Sequence, residues 1–511
     1  MARAIIIGSG MAGLTAAAHL AMDGCEVKVF EQADHVGGVT ATFKRDGFSW
    51  DIGPMILEGF GPGEPVDYIL KKMGIADRLK LARYDRGLHF PDFSVTRPKD
   101  YQGPNWRINK LKEIFPHEAV NLDRFYRFLH SSFDLITLDR HAAVRSPLGV
   151  LPLKIGMWPL YLKVRKYIDW NSRQLMEHFF TDEKLKAFFL MILVDMTLLT
   201  HEYPALGVPF SNQETYFDCR IPAGRPYGIG PRGITLHAVS GGCGEIVKAM
   251  TDIITGRGGS ISTNRVVEKI LIEKDRVVGV RLAGGEEHRA ELVLSSGDAR
   301  HCFFSMIGRD RLPGDFAAKI DDIPLMESVF MVHLGVDMDV TPWQKDPVNY
   351  YYNVYDIDRE VSLMREGHYH EGKAGFLIYI PSLHSPRMAP PEKHALTVYT
   401  VAPNRIEGGW DARKKEMIDK LLVEAERIIP GLRKKTLTQW TLTPKEFGIL
   451  THMREHHSFG GFRPVMGRGG APHRTPFRGL WFIGSQSESG PGVWTQIISS
   501  RAVFKKARRE M

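Results

Sequence analysis

Ala4-Ile5-Ile6-Ile7-Gly8-Ser9-Gly10-Met11-Ala12-Gly13 decides the fold of this chain. Four apolar residues, three of them β-branched, run into a glycine turn and read as a strand buried in a parallel sheet. Met11 to Met22, rich in Ala and Leu, reads as the helix after it, and Val27-Lys28-Val29-Phe30 as the second strand. Together they make a βαβ unit. Gly8-x-Gly10-x-x-Gly13 alone is a weak signal, but between a strand and a helix its spacing has a physical meaning. Gly8 permits the tight turn, Gly10 lets a pyrophosphate approach the backbone, and Gly13 lets helix and strand pack closely. The phosphates then meet free N–H groups and the positive end of the helix dipole, beside Met11 and Ala12. Glu31 ends the second strand eighteen residues beyond Gly13. An acid at that offset accepts from a ribose hydroxyl and disfavours a 2′-phosphate, with Gln32 next to it.

Further along, two more stretches have the same character. Gly244 to Ile254 reads as a helix; Ser260 to Thr263, Arg265 to Ile272 and Val277 to Leu282 read as strands, and Leu292 to Ser295 as a buried segment. Near the end, Gly479 to Gly484 reads as a strand and turn, and Val493 to Lys506 as a helix. These pieces predict a nucleotide-binding unit assembled from residues 1–60, 226–305 and 436–511. Residues 61–225 and 306–435, rich in aromatics and Met, form a second, substrate-covering unit.

The residues beyond Glu31 narrow the class. Gly37-Gly38-Val39-Thr40 precedes Gly47-Phe48-Ser49-Trp50-Asp51-Ile52-Gly53-Pro54. Later come Gly241-Gly242, Gly258-Gly259, Thr263-Asn264 and Val266-Val267, then Ser295-Ser296-Gly297-Asp298-Ala299, Pro381-Ser382 with Pro386 and Ala389-Pro390-Pro391, and finally Phe482-Ile483-Gly484 to Gly490-Pro491-Gly492-Val493. In order and in content these resemble the motifs of the phytoene desaturase and carotenoid isomerase family of flavoproteins, which includes retinol saturases and is related to the amine oxidases. The resemblance implies a two-domain α/β fold: a discontinuous Rossmann-type FAD-binding domain with an inserted α+β substrate domain. It implies non-covalent FAD, held by Gly8, Gly10, Met11, Ala12, Gly13, Glu31, Gln32, Gly37, Gly38, Thr40, Gly53, Pro54, Val267, Gly484, Gly492 and Val493. The backbone at Val267 would meet the adenine, and the turn at Gly484 and Gly492 the flavin ring. Val39 replaces the family's frequent Arg, and Ser485-Gln486-Ser487-Glu488-Ser489 replaces an Ala-Gly-Thr-His-Pro segment, so the resemblance leaves the substrate open.

It implies redox chemistry on the C–C or C=C bonds of a long apolar substrate, an isoprenoid or carotenoid-like lipid, by hydride exchange with flavin N5. Desaturation is favoured, since no second dinucleotide fingerprint is present. Saturation, isomerisation, amine oxidation and a non-catalytic FAD-retaining lipid carrier stand as alternatives. The electron donor or acceptor is open. Glu488, inside the flavin turn, is the candidate for proton transfer.

The remaining signals bound the class. At 43% hydrophobic and 25% charged, 511 residues can bury a large core. The net charge of +8 fits a solvated basic surface or anionic lipid; nucleic acid is not expected, for want of a basic stripe studded with aromatics. Cys25, Cys219, Cys243 and Cys302 are scattered, as in a reducing cytoplasm. Met1-Ala2-Arg3 leads straight into a strand, unlike a signal peptide. Ala187 to Leu199, interrupted by Asp195, is too short to span a membrane and reads as a buried helix. Leu148 to Trp170 mixes Trp158, Tyr161, Tyr167 and Trp170 with Lys154, Lys163, Arg165 and Lys166. That pattern suits either an amphipathic cap helix or a peripheral membrane contact, to which the basic tail Arg501-Lys505-Lys506-Arg508-Arg509 would add. No metal site is expected: His368 and His370, and His452, His456 and His457, lack an acid that completes a ligand set. Cys243 reads as a packing residue rather than a covalent flavin link.

Overall fold

The computed structural model describes residues 2–53, 56–145, 147–212, 218–220, 236–451 and 461–511. Pro54, His452, Arg454, His456 and His457 lie outside the described residues.

Five parallel strands form the first sheet, in the order Ser260–Ser262, Glu26–Phe30, Arg3–Ile7, Leu292–Ser295, Leu480–Phe482. The register pairs Ala4 with Val27 on one side and with Leu292 on the other. The chain therefore returns to this sheet from three separate regions, as the sequence predicts. The helix Met11–Met22 is buried along almost its whole length because its side chains are small. It packs between the sheet, the helix Gly244–Gly256 and the helix Val493–Ala507. Ligands of such sheets bind in the crevice beyond the carboxyl ends of the strands. Here Gly8, Glu31, Ser296 and Gly484 lie just past four of those ends.

A second sheet has seven strands, ordered Thr436–Leu442, Ser328–Val336, His394–Ala402, Gly375–Tyr379, Val348–Tyr352, Arg86–His89, Ser94–Val95. All pairs are antiparallel except Val348–Tyr352 with Arg86–His89. Every residue of Ser328–Val336 is buried. One face meets the helix Trp410–Ile428; the other contributes Tyr350, Leu377 and Tyr399 to the largest apolar core.

Two domain boundaries move. Thr436–Leu442 hydrogen-bonds to Ser328–Val336, so residues 436–442 belong to the seven-stranded sheet rather than to the nucleotide unit. Conversely, the helix Pro65–Met73 buries Val66, Ile69, Leu70 and Met73 in the nucleotide unit's core. An amphipathic helix goes where its apolar stripe finds a partner, which chain position does not reveal.

The expected helix at 187–199 is two short ones, Glu183–Leu190 and Ile192–Asp195. Thr197 adopts φ +54°, and the Leu198 N–H donates to Leu193 O at 3.0 Å. That is a left-handed helix stop carried by a threonine instead of the usual glycine. It leaves Asp195 at the helix end.

Candidate functional site

A cavity of about 820 Å³ runs from the nucleotide turn to the apolar face of the seven-stranded sheet. The turn is held by sterics and by one carboxylate. Gly8 has φ +91°, and its N–H donates to Phe30 O at 2.9 Å. A Cβ on Gly13 would stand 2.1 Å from Gly8 O, whereas one on Gly10 would meet no protein atom within 4 Å. Gly13 therefore serves packing, while the space at Gly10 opens to the cavity. Buried Glu31 accepts from the Ser9 N–H (2.7 Å), the Ser9 hydroxyl (2.6 Å) and the Ala33 N–H (2.9 Å). An ionised carboxylate has about four acceptor positions, so one remains. The Ser9 hydroxyl oxygen in turn accepts from the Gly37 N–H at 3.2 Å, and Gly37 O accepts from the N–H of Thr40 at 3.0 Å. Turn, strand end and Gly37-Gly38 segment thus form one network.

Two helix N-termini open on this cavity: Met11–Met22 after Gly10, and Val493–Ala507 after Gly492. Neither has a side-chain cap. Their first N–H groups are therefore donors for an anion or for a ring that gains negative charge. Gly484 and Gly492 have φ +103° and +106°; Gly484 O accepts from Ser487 N–H at 3.0 Å. These observations fit a dinucleotide with an electron-rich ring at its far end.

Most of the expected site residues meet here. Gly8, Gly10, Met11, Ala12, Glu31, Gln32, Gly37, Gly38, Thr40, Val267, Gly484, Glu488, Gly492 and Val493 all line the cavity. Gly13 and Gly53 stand behind the lining. So does Asp51, which accepts from the Thr42 hydroxyl (2.7 Å) and the Cys243 N–H (2.8 Å). Thr42 also accepts from the Gly244 N–H at 2.8 Å, so this motif fastens the start of the helix Gly244–Gly256. Burial pushes the Asp51 carboxyl up to about 6. Cys243 is buried beside it and is not in the cavity wall. The Pro381-Ser382 motif docks on the same corner: the Ser385 hydroxyl accepts from Gly241 N–H at 2.7 Å.

Glu488 sits exposed at the rim, its Oε1 accepting from the His473 N–H at 3.0 Å. The apolar end has a different ionisable group, missed in the sequence. Asp195 lines the cavity with Ile192, Met196, Tyr350, Leu377 and Tyr399. Its Oδ2 is out of solvent contact and has no hydrogen-bond partner. Burial pushes its carboxyl up to about 7, against a smaller opposing pull from Arg86. A polar residue inside the apolar run 187–199 was the only sequence signal for it.

Among the described residues, one group has metal-ligand proximity: Asp85, Asp218 and Cys219. Arg97 already reaches Cys219 Sγ at 3.1 Å and Asp85 at 3.2 Å, and Arg220 Nε donates to Asp218 at 2.8 Å. Guanidinium groups supply the positive charge there. His370 is occupied too, with Nδ1 accepting from the Gly372 N–H at 3.1 Å.

Prolycopene isomerase 1 of an Oncidium hybrid cultivar is 25% identical over 524 residues, spanning 96% of this chain and 81% of that protein. A 4,4'-diapophytoene desaturase of Staphylococcus aureus is 22% identical, spanning 97% and 96%. Among solved structures, a putrescine oxidase variant superposes with a TM-score of 0.65 at 16% identity, over 100% of this chain and 99% of that one. An oxidoreductase of Methanosarcina mazei gives 0.61 at 20%, over 98% and 100%; both likenesses concern the fold. The model of the flavin containing amine oxidoreductases matches residues 11–496, and the chain belongs to that family.

Proposed function

We propose that this protein is an FAD-dependent oxidoreductase that desaturates a long apolar, isoprenoid or carotenoid-like substrate. The observation that carries the reading is one cavity with two uncapped helix N-termini at one end and an apolar wall at the other. The names of the relatives, a prolycopene isomerase and a 4,4'-diapophytoene desaturase, support the substrate class. Gly8 to Ala12 would receive the pyrophosphate, the fourth acceptor position of Glu31 a ribose hydroxyl, and Gly484, Gly492 and Val493 the flavin edge. FAD supplies a two-electron acceptor that takes a hydride from carbon.

The chain's own residues do the rest. Ile192, Met196, Leu377 and the two tyrosines exclude water and orient the apolar chain. Forming a double bond also releases a proton from the neighbouring carbon. Asp195, rather than exposed Glu488, is the acceptor for it: a carboxylate in an apolar wall, one oxygen buried without a hydrogen-bond partner, is a stronger base than an ordinary one.

Delivery from a bilayer fits the surface. On the helix Pro147–Val164, Leu151, Ile155 and Trp158 are 63%, 66% and 63% exposed, beside Lys154 and Lys163. Among the described residues no helix is long and apolar enough to cross a membrane, so contact would be interfacial. Pelleting with anionic vesicles that is lost in Trp158→Glu is the expected result.

The function is tested by incubating FAD-loaded protein with a polyisoprenoid in vesicles and weighing the product. Loss of one hydrogen pair is expected. A gain of one pair would assign saturation, an unchanged mass with altered geometry isomerisation. Peroxide formed only with amines would replace the reading by amine oxidation.

A further inference from the structure

A second cavity, of about 590 Å³, lies between the helices Ala119–Val144, Pro147–Val164 and Val493–Ala507. Its walls are mostly apolar: Leu135, Ile136, Ala143, Met157, Leu206 and Ile498. Phe210 and Trp494 line both this chamber and the main cavity, so the two adjoin at that aromatic pair. Trp494 comes directly after Val493, beside the expected flavin edge.

Among the described residues, the polar groups of its wall are Asp139, Tyr161 and the cation Arg140. Arg140 is only 7% exposed. Its guanidinium stacks 3.7 Å from the Trp494 ring centre and 5.1 Å from that of Phe210. Stacking satisfies the faces of the guanidinium plane, but its N–H groups point outward in that plane and need acceptors. Nη1 is buried and has none. A buried donor left without an acceptor is costly, and burial lowers the Arg140 pKa to about 10. Stability alone would favour Leu or Met at this position.

We infer that the chamber receives the oxygen-bearing end of a long apolar substrate, with Arg140 donating to a neutral carbonyl or hydroxyl oxygen while the chain continues past Phe210 and Trp494 to the flavin end. This rests on the apolar-substrate reading above and narrows it, since a pure hydrocarbon would leave Arg140 unmatched. A neutral oxygen is assigned in preference to an anion because Glu58, Glu64 and Asp139 already act on the charge of Arg140. A further carboxylate would face all three.

The test is equilibrium dialysis of FAD-loaded protein against radiolabelled methyl hexadecyl ketone, octadecane and octadecanoate, each solubilised in cyclodextrin. Binding of the ketone about tenfold tighter than the hydrocarbon is expected, as a charged donor on a carbonyl allows, with octadecanoate no tighter than the ketone. Arg140→Leu should bind ketone and hydrocarbon equally, and Arg140→Lys should keep part of the preference. The wild-type contrast decides the matter even if the variants fold poorly. Equal binding of ketone and hydrocarbon by the wild type overturns the role of Arg140 and leaves the apolar reading standing. Tighter octadecanoate overturns the neutral oxygen. Failure of all three to bind overturns the apolar reading, and this inference with it.

Discussion

The two ends of the main cavity are built by opposite means. The nucleotide end uses backbone: glycines, two helix starts and a network around Glu31 and Ser9. The apolar end uses side chains, brought from Ile192–Asp195 and from the strands Val348–Tyr352, Gly375–Tyr379 and His394–Ala402. Backbone recognition constrains sequence locally, because only glycine fits certain spaces. Side-chain walls constrain it only through the fold. A cofactor shared by many proteins can therefore be read from a motif, while the substrate needs the assembled structure.

The strongest way to break this contrast is to remove the carboxyl group of Asp195 at the apolar end. Asp195→Asn is expected to lower turnover by about 10²–10⁴-fold, the usual worth of a positioned base, while FAD content stays at the wild-type level. Loss of FAD instead would mean that the two ends are not separable. The same variant sharpens the electrostatics. The Asp195 carboxyl is raised to about 7 from the ordinary 3.8, so the folded protein keeps a proton that the unfolded chain releases between roughly pH 4 and 7. Stability contributed by that proton falls as pH rises through this window. Asp195→Asn should flatten the fall in thermal midpoint. Asp51, raised to about 6 by burial, leaves a residual slope of the same sign. Turnover of the wild type should rise through about pH 7 as the base ionises, and this limb should vanish in the variant.

At the nucleotide end, Gly13→Ala places a Cβ 2.1 Å from Gly8 O. Overpacking of this kind costs about 1–3 kcal/mol, and an FAD affinity about tenfold to a hundredfold weaker is expected in fluorescence titration. Gly10→Ala is the finer probe. Its Cβ meets nothing in the protein, so the thermal midpoint without FAD should not move, while FAD binding weakens. A midpoint that drops would make Gly10 a packing glycine like Gly13.

Legibility in the sequence divides along the same line. The βαβ unit, its return by Leu292 and Leu480, and the residues Gly8, Gly10 and Glu31 could be read from periodicity and glycine spacing; the other expected cavity residues of the nucleotide end came from the resemblance of their motifs to a flavoprotein family. The seven-stranded sheet could not: its strands are drawn from residues 86–95, 328–402 and 436–442, and the strand at 436–442 lies next in sequence to nucleotide-unit segments. Asp195 was visible as a charge in an apolar run. Its placement depends on Thr197 adopting a left-handed conformation without glycine, which no residue type announces. Arg140 was one of three arginines on the helix Ala119–Val144.

The smallest expected effect separates Glu488 from Asp195. Glu488 is exposed and tied to the His473 N–H, so Glu488→Gln should change turnover by less than about twofold. A loss comparable to that of Asp195→Asn would return the proton to the flavin turn.

The most direct test of the central claim is the visible absorbance of FAD-reconstituted protein mixed anaerobically with a polyisoprenoid in vesicles. Bleaching of the oxidised flavin, with electrons taken from the lipid, is the expected result. Flavin that binds and stays oxidised with the lipid, yet bleaches with an amine, would contradict it.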